Sequence, residues 1–281
     1  MTEHQTRYET AIELGILAAT RVVQVVAGSL AEPIATMIAR PLLRDTHRGE
    51  RFARRVGLSW QLHLANNLER RLYFARTYES ATLREAVSRL RPGDVVLDVG
   101  ANIGTFALPL ASAGAAVIAV EPASDTSARL RNHVVINDLV NRVQVKQIAL
   151  GNSRTQLELR VGSKKDTGLR TLTGGGEVIE VVEVITGDEL LQNLAIKPDI
   201  VKIDVEGAEL MVLRGMPNAL RNARLLFVEL VVRHQARAGE TVTALVEHLR
   251  DFGFTPWHIR IRGLEPWTGQ PGNAMFVRSG Q

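Results

Sequence analysis

Short apolar runs alternate with amphipathic stretches through most of the chain after residue 90. The apolar runs predict buried strands, and the stretches between them carry apolar residues at helical spacing and predict helices. We expect strands at residues 95–99, 115–121, 142–149, 199–204 and 223–230, and helices near 80–90 and at 103–113, 124–138, 206–214 and 240–252. This alternation predicts an α/β fold with a parallel, doubly wound sheet.

Two regions depart from the alternation. Residues 156–161 and 177–185 alternate apolar and polar positions around a glycine-bearing link, which predicts an antiparallel hairpin inserted at about residues 151–186. Asp188 follows the hairpin and is expected to cap a short helix. Near the end of the chain, residues 254–260 and 273–278 predict a closing pair of strands.

The first 57 residues are predicted to form a helical appendage ahead of a domain at residues 58–281. Helical spacing of apolar residues predicts one amphipathic helix over 8–31 and a second over 34–43. Two interpretations stay open for them: contact with a membrane surface or partner, or packing against the domain. Charged residues interrupt the apolar stretch at residues 11–39, and the first residues of the sequence lack the pattern of a secretory signal. We therefore expect a cytoplasmic protein without a spanning helix.

The composition removes several classes of protein. Of the 281 residues, 45% are apolar, which indicates a globular chain, and none is cysteine, which excludes disulfides, thiolate metal sites and cysteine nucleophiles. The net charge is +4, but the arginines are scattered, and aromatic residues make up only 5%, too few for a base-stacking surface. We therefore do not expect nucleic acid as a partner. A zinc site is not expected either, because the chain lacks His-x-x-x-His.

Candidate chemistry begins at Asp98-Val-Gly-Ala-Asn-Ile-Gly104, where the first strand ends in a glycine turn and a helix begins. Ligands of open α/β sheets bind at this end of the strands, against backbone that glycine leaves accessible. The spacing is Gly-x-x-x-Gly rather than the Gly-x-Gly-x-x-Gly of dinucleotide-binding proteins, and the lysine of a P-loop is missing. The turn is therefore not expected to hold a pyrophosphate, which disfavours a nicotinamide dehydrogenase.

A second acid, Glu121, ends the next predicted strand 23 residues after Asp98. An acid about 20 residues on, at the end of the second strand, typically accepts hydrogen bonds from a ribose. Two acids around a turn without phosphate chemistry suit a nucleoside whose far end is cationic, and S-adenosylmethionine is such a ligand. The alternative interpretation is an ordinary βαβ unit whose acids have no role in binding.

Three motifs resemble the FkbM-type family of S-adenosylmethionine-dependent methyltransferases. They are Asp98-Val-Gly-Ala-Asn-Ile-Gly104, Val120-Glu-Pro122 and Lys202-Ile-Asp-Val-Glu-Gly-Ala-Glu209, of which the third is the most specific. Residues 72–79 and 227–229 are also similar to that family, so the resemblance covers about residues 60–260. It implies the Rossmann-like, doubly wound sheet of class I methyltransferases, mostly parallel with an antiparallel last strand, and S-adenosyl-L-methionine as the cofactor.

The resemblance also implies which residues bind the cofactor. Asp98 is expected near the methionyl amine, Gly100 beneath the nucleoside and Glu121 at the ribose. Tyr78 and Glu79 resemble the segment that closes over the methionine part, or alternatively belong to a helix start that packs on the sheet. The predicted cofactor-binding residues are Tyr78, Glu79, Asp98, Gly100, Asn102, Gly104, Glu121, Pro122, Ala149 and Asp204.

Two further expectations concern the adenine and the structural histidines. Ala149 or Leu150, at the end of the third predicted strand, should face the adenine. His63 and His133 show no ligand spacing and are expected to be structural.

Methyl transfer from a sulfonium is an in-line displacement, so the acceptor must lie beyond the carboxyl end of the fourth strand. The predicted catalytic residues stand on that rim, and each can hold a hydroxyl or accept its proton: Asp204, Glu206, Glu229 and His234. No metal site is predicted, although Asp204 and Glu206 would suit a Mg²⁺ ion.

Local roles are the alternative for each catalytic candidate. Asp204 can serve as a helix cap, while Glu206 and Glu209 can interact favourably with the helix dipole. Glu229 can hydrogen-bond a loop, and His234 can be a surface or core residue.

We therefore predict O-methylation of a hydroxyl on a small molecule, sugar or glycan. Oxygen is favoured by the resemblance and because Asp204-Val-Glu-Gly207 stands where a nitrogen methyltransferase has (Asn/Asp)-Pro-Pro-(Tyr/Phe). Two other functions stay open: an RNA methyltransferase, suggested by the pI near 9.7, and a non-catalytic cofactor-binding partner docked at a membrane through residues 8–43. The hairpin insertion is expected to border the acceptor site, or else to be a surface ornament.

Overall fold

The structure is a computed structural model, and it describes residues 49–75, 78–161, 170–172 and 176–279. The chain divides into two compact units, residues 1–80 with 165–168 and residues 81–164 with 169–281. The helices predicted over residues 8–31 and 34–43 lie outside the described residues. Among the residues that are described, no helix combines the length and the apolar character needed to cross a bilayer.

The described part of the first unit is a β-hairpin followed by a short helix. Its elements are β1 (Glu50–Arg55), β2 (Leu58–His63) and α1 (Asn67–Phe74). The strands pair antiparallel through a turn at Val56 and Gly57, which both have positive φ, as a type I′ hairpin turn requires. Asn66 caps the helix, its side chain accepting from the N–H of Leu68 at 2.9 Å.

This hairpin differs from the predicted helical appendage, which extended to residue 57. The buried residues Leu58, Trp60 and Leu62 recur at every second position, the period of a strand with one buried face. The division of the chain at residue 57 stays a prediction.

The second unit contains two sheets and the helices that cover them. In chain order, the strands are β3 (Val95–Val99), β4 (Ala116–Val120), β5 (Val143–Lys146), β6 (Ala149–Gly151), β7 (Thr155–Val161), β8 (Arg170–Thr171), β9 (Glu177–Thr186), β10 (Ile200–Ile203), β11 (Leu225–Leu230), β12 (Phe254–Arg260), β13 (Gly263–Pro266) and β14 (Gly272–Arg278). The helices are α2 (Ser80–Ser88), which leads into the unit, α3 (Ala107–Ser112), α4 (Ser124–Ile136), α5 (Gly187–Leu194), α6 (Glu209–Arg214), α7 (Pro217–Asn222), α8 (Val232–Arg237) and α9 (Val242–Asp251).

The large sheet has the strand order β13-β12-β14-β11-β10-β3-β4-β5. Strands β5, β4, β3, β10 and β11 are parallel to one another, and the last strand, β14, runs antiparallel to both of its neighbours. This confirms the predicted α/β fold with a mostly parallel, doubly wound sheet and an antiparallel last strand. The predicted closing pair corresponds to β12 and β14, and β13 adds an edge strand that the pattern did not indicate.

The strand order creates a crevice at the centre of this sheet. From β3 the chain fills one side with β4 and β5, and it then returns to fill the other side with β10 and β11. Ile203 pairs with Val99, so β10 and β3 end at the same edge. In open α/β sheets, ligands bind outside the carboxyl ends of the strands at such a reversal.

The insertion is larger than the predicted hairpin. Strands β7 and β9 pair antiparallel, as predicted, and β6 and β8 extend them into a sheet of order β6-β9-β7-β8. The strand predicted at 142–149 is therefore wrong in extent, since β5 ends at Lys146 and Ala149 already belongs to the second sheet. Buried Ala149, Leu159 and Val184 share an apolar cluster there, and burial of Ala149 in it accounts for the switch.

Helix starts also differ from the predictions. Thr186, not Asp188, caps α5, because the Thr186 hydroxyl accepts from the N–H of Glu189 at 3.1 Å. The Asp188 carboxylate instead accepts from the N–H groups of Asn218 and Ala219 at 2.9 and 3.0 Å and so caps α7. The sequence pattern did not predict this cap, because Asp188 lies about 30 residues before α7 and caps it from another element.

Candidate active site

The turn after β3 rests against the turn after β10. Gly100 has a φ of +81°, and a Cβ at this position would lie 1.9 Å from the carbonyl oxygen of Asp204. Only glycine meets both conditions. The N–H groups of Gly100 and Ala101 donate to the carbonyl of Val120, at 2.9 and 3.0 Å. The turn is therefore fixed between its two neighbouring strands and places residues 98–104 beside Asp204.

Glu121 closes this turn from the β4 side. Its two carboxylate oxygens accept from the N–H groups of Asn102 and Ala123, both at 3.0 Å. Glu121 is 7% exposed, and this burial raises its pKa from 4.5 to about 7 in spite of the two backbone hydrogen bonds. Each oxygen keeps a second lone pair, so the carboxylate can still accept hydrogen bonds from a pair of ligand hydroxyls.

The remaining residues of the glycine turn are also constrained. Asp98 is fully buried at the carboxyl end of β3. Asn102 has a φ of +50°, which directs its N–H to Glu121, and Gly104 has a φ of +99° where a Cβ would collide with Leu108. Two buried acids around bare backbone match the cationic amine and the ribose hydroxyls of S-adenosylmethionine, so the residues fit this cofactor.

Three other predicted cofactor residues, Tyr78, Glu79 and Ala149, are described in contacts other than those of the glycine turn. Tyr78 and Glu79 belong to the first unit, where the Arg71 guanidinium lies 5.1 Å from the centre of the Tyr78 ring. Ala149 lies in β6 with its side chain in the apolar cluster of the inserted sheet, so the prediction that it ends a strand of the large sheet is wrong. The roles of these residues, and of the half-buried Pro122, stay predictions.

Asp204 follows β10 and is paired with Lys202, for which the sequence pattern predicted no role. Nζ of Lys202 lies 2.9 Å from Oδ2 of Asp204 and 5.6 Å from the centre of the Phe106 ring. Lys202 is buried. The signal was present in the sequence, because residues two apart at a strand end point to the same face. The pair gives Asp204 a fixed, charge-compensated position at the crevice.

Glu206, Glu229 and His234 converge at the carboxyl ends of β10 and β11. Nδ1 of His234 lies 3.0 Å from Oε2 of Glu206 and 3.9 Å from Oε2 of Glu229. His234 is 6% exposed, and the two carboxylates are half-buried. The sequence indicated each residue separately, and the structure brings them together with Asp204 on the adjoining turn.

The imidazole of this cluster lies in α8, a helix that the sequence pattern did not predict. Burial lowers the pKa of His234, and the charges of Arg233 and Arg237 lower it further, whereas the charge of Asp204 opposes them. Nε of Arg233 also donates to Nε2 of His234 at 3.3 Å. The neutral imidazole therefore predominates at neutral pH.

A buried acid, Glu209, holds the cluster in place. It is 1% exposed, and its carboxylate accepts from the N–H groups of Val205 and Gly207, at 3.2 and 3.1 Å, and from the side-chain amide of Gln235. These bonds shape the turn in which Glu206 has a φ of +54°, and they tie that turn to α8. Burial raises the pKa of Glu209. Because Glu209 bonds this turn, the helix predicted from residue 206 begins only at residue 209.

The inserted sheet contacts the same turn. The hydroxyl of Thr171, in β8, donates to the carbonyl oxygen of Glu206 at 3.1 Å. Its neighbour Arg170 pairs with Asp125 in the first turn of α4, with Nη2 and Oδ2 2.7 Å apart. The insertion therefore lies against the crevice, and its role in choosing the acceptor stays a prediction.

The two histidines expected to be structural have contacts that suit that role. Nδ1 of His133 lies 3.0 Å from the carbonyl oxygen of Ile103, and the ring is buried. His63 pairs with Glu50 across the hairpin of the first unit.

Asp98 and Glu121 are buried acids at the ends of the first two strands of the large sheet, where the strand order reverses. Class I methyltransferases bind a nucleoside with this arrangement, and the second unit has the fold of this class. The sequence model described as "Methyltransferase FkbM domain" matches residues 98–256, more than half of the chain. The chain belongs to the FkbM methyltransferase family, as the motifs predicted, and its cofactor is S-adenosyl-L-methionine.

Two named relatives and one solved structure illustrate the likeness. The chain is 33% identical over 153 residues to the hexuronic acid methyltransferase AglP of Haloferax volcanii, a match that covers 54% of this chain and 62% of AglP. It is 34% identical over 188 residues to the 31-O-demethyl-FK506 methyltransferase FkbM of Streptomyces tacrolimicus, covering 55% of this chain and 70% of that protein.

The solved structure is methyltransferase FkbM from Methylobacillus flagellatus KT. It aligns with a TM-score of 0.48 and 17% identity over 72% of this chain and 48% of that chain. The matches thus span less than two thirds of AglP and about half of the Methylobacillus protein.

Proposed function

We propose that this protein transfers the methyl group of S-adenosyl-L-methionine to a hydroxyl oxygen of a small molecule or sugar. The observation that carries the proposal is the convergence of Glu206, Glu229 and His234 next to the turn that Gly100 contacts. Two names are used for the halves of the site. The cofactor side is Asp98, Gly100, Asn102 and Glu121, and the acceptor side is Asp204, Glu206, Glu229 and His234.

The cofactor side binds by charge and by hydrogen bonding. When bound, the cofactor supplies an electrophilic methyl group on a positively charged sulfur. The Glu121 carboxylate accepts from the ribose hydroxyls, and the buried carboxylate of Asp98 attracts the methionyl amine. Because Gly100 contacts Asp204 directly, a cofactor on this turn lies next to the acceptor side.

The acceptor side supports a hydroxyl as the nucleophile. A carboxylate acceptor is already ionised at neutral pH, whereas a hydroxyl must lose a proton as its oxygen attacks. Two half-buried carboxylates and a neutral imidazole are groups that can take this proton. The O–H bond breaks toward this cluster, the new O–C bond forms, and the electron pair of the C–S bond stays on sulfur.

The names of the relatives agree with an oxygen acceptor. One relative is named for methylation of a hexuronic acid, which has several hydroxyls and a carboxylate. The other is named for a methyl group on an oxygen of FK506. The acceptors in these two names are a sugar acid and a small molecule, which supports a small molecule or sugar over RNA as the acceptor of this chain.

Incubation with labelled S-adenosylmethionine and a panel of hexuronic acids, their oligosaccharides and hydroxylated macrolactones tests the proposal. We expect label in a product that survives mild alkali, as a methyl ether does. Glu206→Gln should lower turnover by about 100-fold without changing the affinity for S-adenosylhomocysteine. Glu240→Gln, which alters an ion pair with Arg214, is the matched control and should keep full turnover.

Two results would count against hydroxyl methylation. Loss of the label in mild alkali would identify an ester and thus a carboxylate acceptor. Label that enters RNA, and none of the hydroxylated metabolites, would identify an RNA methyltransferase instead.

A further inference from the structure

The geometry of Glu206, Glu229 and His234 points to a binding site for a divalent cation. We propose that these three side chains bind a first-row transition-metal ion, and that this ion takes the hydroxyl oxygen of the acceptor as a further ligand. The second part rests on the proposed function, whereas the first part stands without it.

The distances between the ligand atoms suit one shared ion. Metal–ligand bonds of about 2.0–2.2 Å to nitrogen and oxygen place neighbouring ligand atoms roughly 3.0–3.5 Å apart. Nδ1 of His234 is 3.0 Å from Oε2 of Glu206 and 3.9 Å from Oε2 of Glu229, and one atom from each of the three residues lies within 4.8 Å of the others. A three-ligand site therefore requires the Glu229 carboxylate to move closer to the other two ligand atoms.

The state of the histidine is an independent indication of a ligand. His234 is 94% buried, yet Nδ1 makes no hydrogen bond, although a Glu206 oxygen lies 3.0 Å away. A buried polar atom without a hydrogen bond calls for a partner, and an ion is a partner that both a ring nitrogen and two carboxylates can share. Coordination through Nδ1 requires the ring proton on Nε2, so the exposed side chain of Arg233 must turn away from Nε2.

The chemistry of the donor set selects the kind of ion. Carboxylates alone suit Mg²⁺ and Ca²⁺, whereas an imidazole nitrogen favours Mn²⁺, Fe²⁺, Co²⁺, Ni²⁺ or Zn²⁺. Three protein ligands leave open coordination positions, as in catalytic zinc sites. A hydroxyl bound there is acidified by the charge of the ion. Because Glu206, Glu229 and His234 then ligate the ion, the proton passes to solvent instead of to these side chains, and the oxygen forms the O–C bond while sulfur keeps the electrons of the C–S bond.

Titration of the metal-free full chain with Mn²⁺, followed by electron paramagnetic resonance, tests the site without any acceptor. We expect one bound Mn²⁺ per chain, its release by Zn²⁺, and much weaker competition by Mg²⁺. Glu229→Gln and His234→Gln should each weaken binding at least about tenfold. Arg233→Ala should bind at least as tightly as the unaltered protein, since it removes a positive charge and the donor to Nε2.

Matched controls are Glu247→Gln and His248→Gln in α9, outside the proposed site, which should leave Mn²⁺ affinity unchanged. Absence of Mn²⁺ and Zn²⁺ binding, or binding that Glu229→Gln and His234→Gln leave unaltered, would overturn the proposal.

The role of the ion is tested with an acceptor found in the methylation assay. Chelator-treated protein should lose methyl transfer and regain it with Mn²⁺, and an undiminished rate after metal removal would overturn this role. If Mn²⁺ binds at the three residues but no acceptor is methylated, the proposed function fails and the metal site stands.

Discussion

The cofactor side and the acceptor side meet at one edge of the sheet, but their residues come from very different stretches of chain. The hydrogen bonds that Glu121 and the backbone N–H groups of Gly100 and Ala101 make on the cofactor side join residues between 100 and 123, within a single strand–turn–helix–strand unit. The acceptor side combines the turn after β10, the end of β11 and helix α8, and it is held by the buried bond between Glu209 and Gln235, which are 26 positions apart. One half of the site is local in sequence, and the other exists only when several elements pack.

This difference predicts which property a mutation on each side should change, cofactor binding or stability. A change within the cofactor side alters a turn that its own neighbours define, so it should weaken cofactor binding without disturbing the acceptor side. A change in the network under the acceptor side alters the packing between elements, so its effects spread to stability while the cofactor turn is spared. Gly100 is the exception, because it belongs to one side and contacts the other.

Substitution of Gly100 should have the largest effect and remove the distinction between the sides. Gly100→Ala adds a Cβ against the Asp204 carbonyl and places a side chain at positive φ, so we expect the free energy of unfolding to fall by more than about 3 kcal/mol. Binding of S-adenosylhomocysteine should be lost in calorimetry. Gly239→Ala is the control, since that residue has a φ of +74° with open space around it, and it should cost only about 1 kcal/mol. Equal costs at both positions would show that the contact with Asp204 is unimportant.

Substitution of Glu209 should separate the two sides. Glu209→Gln places an amide against the N–H groups of Val205 and Gly207 and the amide of Gln235, so we expect a loss of about 2 kcal/mol in urea unfolding. Affinity for S-adenosylhomocysteine should change less than about threefold, because no contact of the cofactor side is touched. The half-exposed Glu240 offers a comparison, and Glu240→Gln should cost less than about 1 kcal/mol. A large loss of cofactor affinity in Glu209→Gln would contradict the independence of the sides.

The titration of Glu121 should sharpen the comparison from the cofactor side. The carboxyl has a pKa of 4.5 when exposed and about 7 when buried in the fold, so the folded protein retains a proton between these values that the unfolded chain has lost. Stability without cofactor should therefore fall as pH rises from about 4.5 to 7, and Glu121→Gln should lack this dependence.

Cofactor binding should show the opposite trend with pH. Ribose hydroxyls bind the ionised carboxylate best, so affinity for S-adenosylhomocysteine should rise by up to about tenfold per pH unit below 7 and level off above it. Calorimetry between pH 5.5 and 8 checks this, with Glu121→Gln as the variant whose weak affinity should not follow pH. The same weakening is expected for Glu121→Ala with the fold retained. A flat pH profile for the unaltered protein would remove Glu121 from the ribose site.

The cofactor side could be predicted from the sequence because its signals are local. Three features lie within one βαβ unit: the apolar run that contains Asp98, the glycine turn after it, and Glu121, which follows β4. Short-range periodicity and turn chemistry determine such a unit, and the structure places Gly100 and Glu121 at the turn they were predicted to form.

The acceptor side could be predicted only as separate residues. Glu206, Glu229 and His234 were each indicated at a strand end, but their meeting depends on α8, whose six residues are too short to show helical periodicity. The supporting acid Glu209 was missed for a related reason, since its partner Gln235 lies in that same helix. The split of residues 142–149 between two sheets likewise follows from burial of Ala149 among side chains of the insertion, which no local pattern records.

The backbone contact between Gly100 and Asp204 has a consequence for protein engineering, when the aim is to change which acceptor is methylated. Gly100 has no room for an added atom where its turn meets the Asp204 carbonyl, so a redesign gains nothing by varying that residue. Diversity should be introduced in the inserted sheet around Thr171 and in α8 beyond His234, because changes there leave the contact between Gly100 and Asp204 as it is in every library member.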